Sequence, residues 1–128
     1  MEHNSNRLLK ITGLVGALAV VLGAFAAHGL KQLLNDTQID TFKTGSLYHY
    51  VHALAMFVIA IDNKESPLLQ RSFYLFLTGI ILFSGSLYIL STKHLYGGDS
   101  WNVVGPLTPI GGVFFMLGWL NLVFITKR

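Results

Sequence analysis

The chemistry open to this sequence rests on histidine and tyrosine. There is no cysteine, which removes disulfides, thiolate metal sites and cysteine nucleophiles. No hydrolase motif, phosphate loop, dinucleotide fingerprint or intramembrane carboxylate pair occurs, so the chain is not expected to be an enzyme. Among the histidines, His28, His49 and His52 fall inside long apolar stretches. An ionisable group at membrane depth is costly and marks a functional-site hypothesis by default. Neutral imidazole is nevertheless cheaper to bury than a carboxylate, so His52 has two readings. Either it hydrogen-bonds Ser84, Ser86 or Tyr88 across helices, or it serves a ligand. His49 follows Tyr48 and precedes His52 by three positions, which puts both rings on neighbouring parts of one helix face. Three histidines at related depth can hold a metal or haem. No carboxylate or fourth ligand accompanies them, so neither metal nor cofactor is expected. His3 and His94, in a tail and a loop, are expected to be solvated.

A second unusual feature is the segment from Gly105 to Gly112, with two prolines and three glycines in eight residues. Such backbone cannot continue a regular helix without freeing amides and carbonyls. Irregular backbone at membrane depth must be buried in protein or line a wet cavity. The segment is thus either the loop and first turn before a helix, or one wall of a pocket facing His52.

The elements that position these residues follow from charge spacing. The chain has 128 residues, 52% hydrophobic and 12% charged, with a mean hydropathy of +0.56. Soluble domains carry about a quarter charged residues, and a chain this short cannot hide so much apolar surface in one core. The net charge of +3 does not signal nucleic-acid binding, because the nine Lys and Arg are scattered between apolar runs without a basic stripe. Four uncharged runs cover 11–30, 44–61, 72–92 and 100–126, each near the ~20 residues that cross a bilayer. Lipid leaves no backbone group unpaired, so these runs must be helices. The expectation is an all-α, four-transmembrane-helix bundle: a single membrane domain over 1–128, spanning at 11–30, 44–61, 72–92 and 106–126, as a multi-pass protein of the cell membrane.

Local signals punctuate the helices. Thr37 with Asp40 reads as a capping box, and Ser66 before Pro67, or Thr108 before Pro109, as a cap with a first-turn proline. Gly97, Gly98 and Asp99 mark a turn. Arg7, Lys10 and the following apolar stretch to Ala24-Phe25-Ala26 share the shape of a signal peptide. Three more spans follow, so the first is expected to be retained. Arg7, Lys10, Lys64, Arg71, Lys127 and Arg128 make six basic residues on one side against Lys31, Lys43 and Lys93 on the other. The positive-inside rule then places both termini in the cytoplasm. Gly13, Gly16, Ala19, Gly23 and Ala27 line helix 1, with Ala19, Gly23 and Ala27 at four-residue spacing. That stripe suits tight packing within the bundle, ahead of a dedicated dimerisation face.

Helix alternation brings the polar groups to one level, in the extracytoplasmic half. His28, Tyr48, His52, Ser84, Tyr88 and Thr108 form the candidate ligand-binding set. The expected function is binding of a small ligand, lipid or ion there, in contact with the lipid bilayer. The alternative is a structural or accessory subunit that docks a partner membrane protein or a second copy, its polar motifs serving helix packing.

At these residues the chain resembles the YgdD/YwdK-type family of small bacterial membrane proteins. The run from Gly23 to Leu30 carries the first signature. Phe42, Thr44, Tyr48 and His52 to Ala55 carry the second, and Leu82 to Tyr88 the third. Gly105 to Gly112 with Gly118-Trp119 carries the fourth, and Ala26 stands where the family commonly has glycine. The resemblance covers nearly the whole chain. It implies a four-helix plasma-membrane protein, singles out His28, His52, Tyr88 and the proline–glycine segment, and supplies no catalytic residues.

Overall fold

The computed structural model describes residues 2–62 and 66–125, with side chains from residue 5 onward. Lys64, Lys127 and Arg128 of the charge count, Thr126 of the fourth run and the side chain of His3 lie outside the described residues. The helices are α1 (Glu2–His28), α2 (Asp36–Ile61), α3 (Pro67–Gly79), α4 (Gly85–Thr92) and α5 (Leu107–Val123). A π-type turn, Ile80–Ser84, joins α3 to α4 into one continuous rod. With the short 3-10 turns that extend them, four helices are long and apolar enough to cross a membrane: Ser5–Gln32, Asp36–Ile61, Pro67–Leu95 and Gly98–Val123.

Hydrogen bonds between distant residues give the order of the rods. Ser5 at the start of α1 donates to the Ala60 carbonyl at the end of α2. Ser72, early in α3, donates to the Gly118 carbonyl late in α5, and Asn121 donates to the Leu68 carbonyl and the Ser72 hydroxyl. At the opposite end, Gln38 donates to His94 Nδ1 and His94 donates through Nε2 to the Leu33 carbonyl. The chain therefore runs up, down, up and down. α2 is the hub, packed against α1, α3, the π turn and α4, while α5 packs on α3 and the π turn. One apolar cluster joins Leu8, Met56, Ile59, Phe73, Phe76, Ile80 and Phe115. A second, at the far end, joins Ala26, Leu30, Leu34, Ile39 and Phe42.

The caps follow local chemistry, with two corrections. Ser66 caps α3 with Pro67 in its first turn, as its sequence suggests. α2 is capped instead by Asn35, whose side chain accepts from the Gln38 amide while Gln38 accepts from the Asn35 amide, both at 2.9 Å. Asn35 sits where the chain is still extended, and Gln at the third helical position completes the reciprocal box. Thr37 and Asp40 lie inside the helix, where their carbonyls accept from the hydroxyls of Thr41 and Thr44. Nor does Thr108 cap α5. Pro106 occupies the cap, and Thr108 and Pro109 are the second and third helical residues. Amides at those positions have no intrahelical partner, so proline costs nothing there. The proline–glycine segment is thus a loop and first turn, with Gly111 and Gly112 in regular helix.

The small-residue stripe of α1 is also displaced. Leu8, Thr12, Ala19, Ala26 and Leu30 are buried, and Ala27 is exposed. Thr12, Ala19 and Ala26 are seven apart, the period of a seam between helices crossing at a shallow angle. A strict four-residue stripe drifts round the helix and leaves the seam, which is why Ala27 misses it. Gly13 and Gly16 have nothing within 4 Å of where a Cβ would stand, whereas Gly23 lies under the Tyr50 hydroxyl.

Candidate functional site

His52 lies beyond the middle of α2, on the edge that faces α5, and is 4% exposed. Its Nδ1 is 2.7 Å from the Tyr48 carbonyl one turn back, and the Trp119 indole donates to its Nε2 at 3.0 Å. Because an indole N–H is only a donor, Nε2 must accept, and the remaining proton sits on Nδ1 and points at Tyr48. The geometry thus selects the neutral ring in one tautomer. Phe115 stacks on the imidazole, centroids 3.6 Å apart at 12°, with Phe76 and Trp119 tilted against its edges. Both ring nitrogens are used and one face is covered.

His49 is tied the other way round. It is 1% exposed, with Nε2 3.0 Å from the Val15 carbonyl of α1 and Nδ1 2.9 Å from the Tyr88 hydroxyl of α4. A carbonyl only accepts, so Nε2 carries the proton and Tyr88 donates to Nδ1. One imidazole thereby links three helices. His94 repeats the pattern outside the bundle, donating to Leu33 and accepting from Gln38. It is exposed, as its sequence position suggests, and it also fastens the end of the third rod to the connection between α1 and α2.

The six candidates separate. His52 bonds none of Ser84, Ser86 or Tyr88; the Tyr88 hydroxyl belongs to His49. His28 is exposed at the end of α1. The Ser84 hydroxyl is buried without a hydrogen-bond partner among the described residues, as is that of Thr12. Thr108 pairs with Ser86 at 2.6 Å. Ser86 already donates to the Phe83 carbonyl in the π turn, so Thr108 is the donor. The pair thus ties the π turn to the start of α5. Tyr48 keeps its ring beside the site, 4.6 Å from Phe83 and 6.0 Å from His52 and Phe115, centroid to centroid. The proline–glycine segment does not face His52; Phe115 and Trp119, farther along α5, do.

Trp119 and Phe115 are the site residues that reading the sequence for polar side chains passes over. A tryptophan inside an apolar run carries its own signal, since its N–H requires an acceptor when buried. Its placement one helical turn from Phe115 marks which face of α5 meets α2.

A family model described as "Protein of unknown function (DUF423)" matches residues 22–112. The UPF0382 membrane protein YwdK of Bacillus subtilis is 42% identical over 121 residues, covering 91% of this chain and 94% of the relative. A UPF0382 membrane protein of Haemophilus influenzae is 39% identical over 123 residues, 93% and 92% of the two chains. The UPF0382 inner membrane protein YgdD of Escherichia coli is 35% identical over 117 residues, 90% and 85% of the two chains. No solved structure matches significantly.

Proposed function

This chain belongs to the DUF423 family of UPF0382 multi-pass membrane proteins, and on that premise we propose that its buried histidines are fastenings and that it works as a rigid, non-catalytic accessory unit of the membrane. The observation that carries this reading is His52, with one nitrogen donating within α2, the other accepting from α5, and a phenyl ring across its face. A ring so occupied offers no lone pair to an ion and no proton to a substrate. His49 gives the same support between α1, α2 and α4. Apolar burial drives helices together weakly when the surroundings are lipid, so interhelical hydrogen bonds and close packing set the fold's uniqueness. The outward faces, with Leu14, Val21, Val113, Leu117 and Leu120, are then the surfaces that lipid or a neighbouring membrane protein covers.

The test compares His52→Gln with His52→Leu in detergent. Glutamine can donate to Tyr48 and accept from Trp119; leucine strands the indole N–H. Leucine should lower stability by about 1–3 kcal/mol and glutamine by clearly less, with native mass spectra that show the same bound lipids for both. A small polar ligand or ion bound in stoichiometric amount, and lost in the stably folded His52→Gln protein, would overturn the reading.

A further inference from the structure

Of the three bonded histidine rings, His94 is the one that solvent reaches, and its two contacts cannot both survive a proton. Its Nε2 lies 3.2 Å from the Leu33 carbonyl, and its Nδ1 lies 3.2 Å from Nε2 of Gln38. A carbonyl only accepts, so the neutral ring keeps its proton on Nε2 and offers the Nδ1 lone pair to the Gln38 amide. Gln38 has no freedom to answer otherwise. Its Oε1 accepts from the Asn35 N–H, and the Asn35 side chain accepts from the Gln38 N–H in return, both at 2.9 Å. That capping box turns the NH2 of Gln38 toward His94. A doubly protonated ring carries N–H at both nitrogens, so Nδ1 then meets a donor with a donor. Rotating the Gln38 amide to accept would set its NH2 against the Asn35 N–H and undo the cap of α2. Proton uptake therefore breaks either the contact or the cap.

The contact also stands alone at its end of the bundle. Among the described residues, the two bonds of His94 are the hydrogen bonds that join residues 93–104 to residues 28–44. The segment beyond it is tied within its own rod: Lys93 pairs with Asp99 at 2.9 Å, and the Tyr96 hydroxyl donates to the Ile89 carbonyl. Of the charged groups at this end, Lys93 and Asp99 are thus engaged with each other. Asp36 and Asp40 stand two residues to either side of Gln38, a spacing that turns them to another face of α2. His28 and Lys31 are exposed on the α1 side, and Lys43 is exposed farther along α2. None of these forms an ion pair with His94 among the described residues, so no carboxylate replaces the bond that a proton removes.

Histidine is the side chain whose charge changes between about pH 5 and about pH 8. We propose that His94 is a pH-responsive latch, closed while its ring is neutral and opened by acid, which frees the 3-10 turn Lys93–Leu95 from the connection between α1 and α2. The apolar cluster of Leu30, Leu34, Ile39 and Phe42 and the bonds of His49 lie deeper, so the rods stay together while this end loosens. The latch is independent of the accessory role proposed above and goes beyond it.

The chain has no cysteine of its own, so Leu33→Cys with Leu95→Cys, both at exposed side chains, places two spin labels across the latch. The protein sits in phosphatidylcholine nanodiscs, whose two faces both meet the buffer. Dipolar broadening between the labels is expected at about pH 8. At about pH 5 the uncoupled fraction should rise about fivefold, the factor that one net hydrogen bond supplies. His94→Gln, which can still donate to Leu33 and accept from Gln38, should stay coupled at both. Gln38→Glu preserves the capping box and sets a carboxylate before Nδ1, so the direction reverses: the doubly protonated ring donates to both neighbours and coupling strengthens in acid. Equal coupling at the two pH values in the labelled parent would overturn the proposal. So would an acid response that persists in His94→Gln, which would assign it to another group, or one of unchanged sign in Gln38→Glu.

Discussion

A histidine inside a membrane span gains its place by having both nitrogens answered, and His49 and His52 do so with opposite tautomers. His52 protonates Nδ1 because Trp119 can only donate; His49 protonates Nε2 because the Val15 carbonyl can only accept. The coupling is measurable. A double-mutant cycle of His52→Leu and Trp119→Phe should give an interaction energy of about 1 kcal/mol, since the second change removes the donor that the first strands. Additive losses would deny the bond. Tyr88→Phe should cost about 0.5–1.5 kcal/mol by leaving His49 Nδ1 without a donor, read as a lowered melting temperature in detergent. At this scale the sequence marks the polar residues and hides their partners. His52 stands out as an ionisable group in an apolar run, but the sequence points to Ser84, Ser86 or Tyr88 as its partner and passes over Trp119, which is the one that bonds it. The choice depends on how far α5 slides along α2, which no local spacing encodes.

Whole helices show where local rules reach and where they stop. Ser66-Pro67 is legible because the cap and the first-turn proline act within four residues. The Asn35 box is equally local, with Gln38 in the role more often given to glutamate, and Thr37 is a decoy of the same chemistry two residues too far in. Ala26 displaces Ala27 in the α1 seam because the partner helix imposes a seven-residue period. The π turn of the third rod has no sequence signature of this kind. Tertiary contact meets it: a Cβ at Gly111 would run into the Phe83 backbone, so α5 meets the turn backbone to backbone. Two glycine substitutions therefore diverge. Gly111→Ala should destabilise by about 1–3 kcal/mol, because a backbone wall cannot yield as a flexible side chain does. Gly13→Ala, pointing into open space, should leave stability unchanged or raise it by up to about 1 kcal/mol through helix propensity. Equal losses at both positions would mean that α1 is covered on a face where the bundle offers it no neighbour.

Taken whole, the molecule is four antiparallel rods whose polar fastenings sit at three levels: Ser72 with Gly118 and Asn121 near one end, the two histidines in the middle, and His94 with Gln38 and Leu33 at the other. Four apolar runs between charges make the rods legible in the sequence, and even-numbered alternation brings the two chain ends to one side. Which side is a matter of basic residues. Arg7, Lys10 and Arg71 lie at the end of the bundle where α1 starts, and Lys31, Lys43 and Lys93 toward the other. The count is six to three over the full chain, so reporter fusions at either terminus should read cytoplasmic, and reporters inserted at 33–35 or 96–98 should read extracytoplasmic. Because the margin rests on few charges, replacing Arg7, Lys10 and Arg71 by glutamine should populate the inverted orientation, each lost cation weakening its retention on the cytoplasmic side. Fusions that place the two termini on opposite sides would break the alternation itself, and with it the geometry that lets Trp119 reach His52.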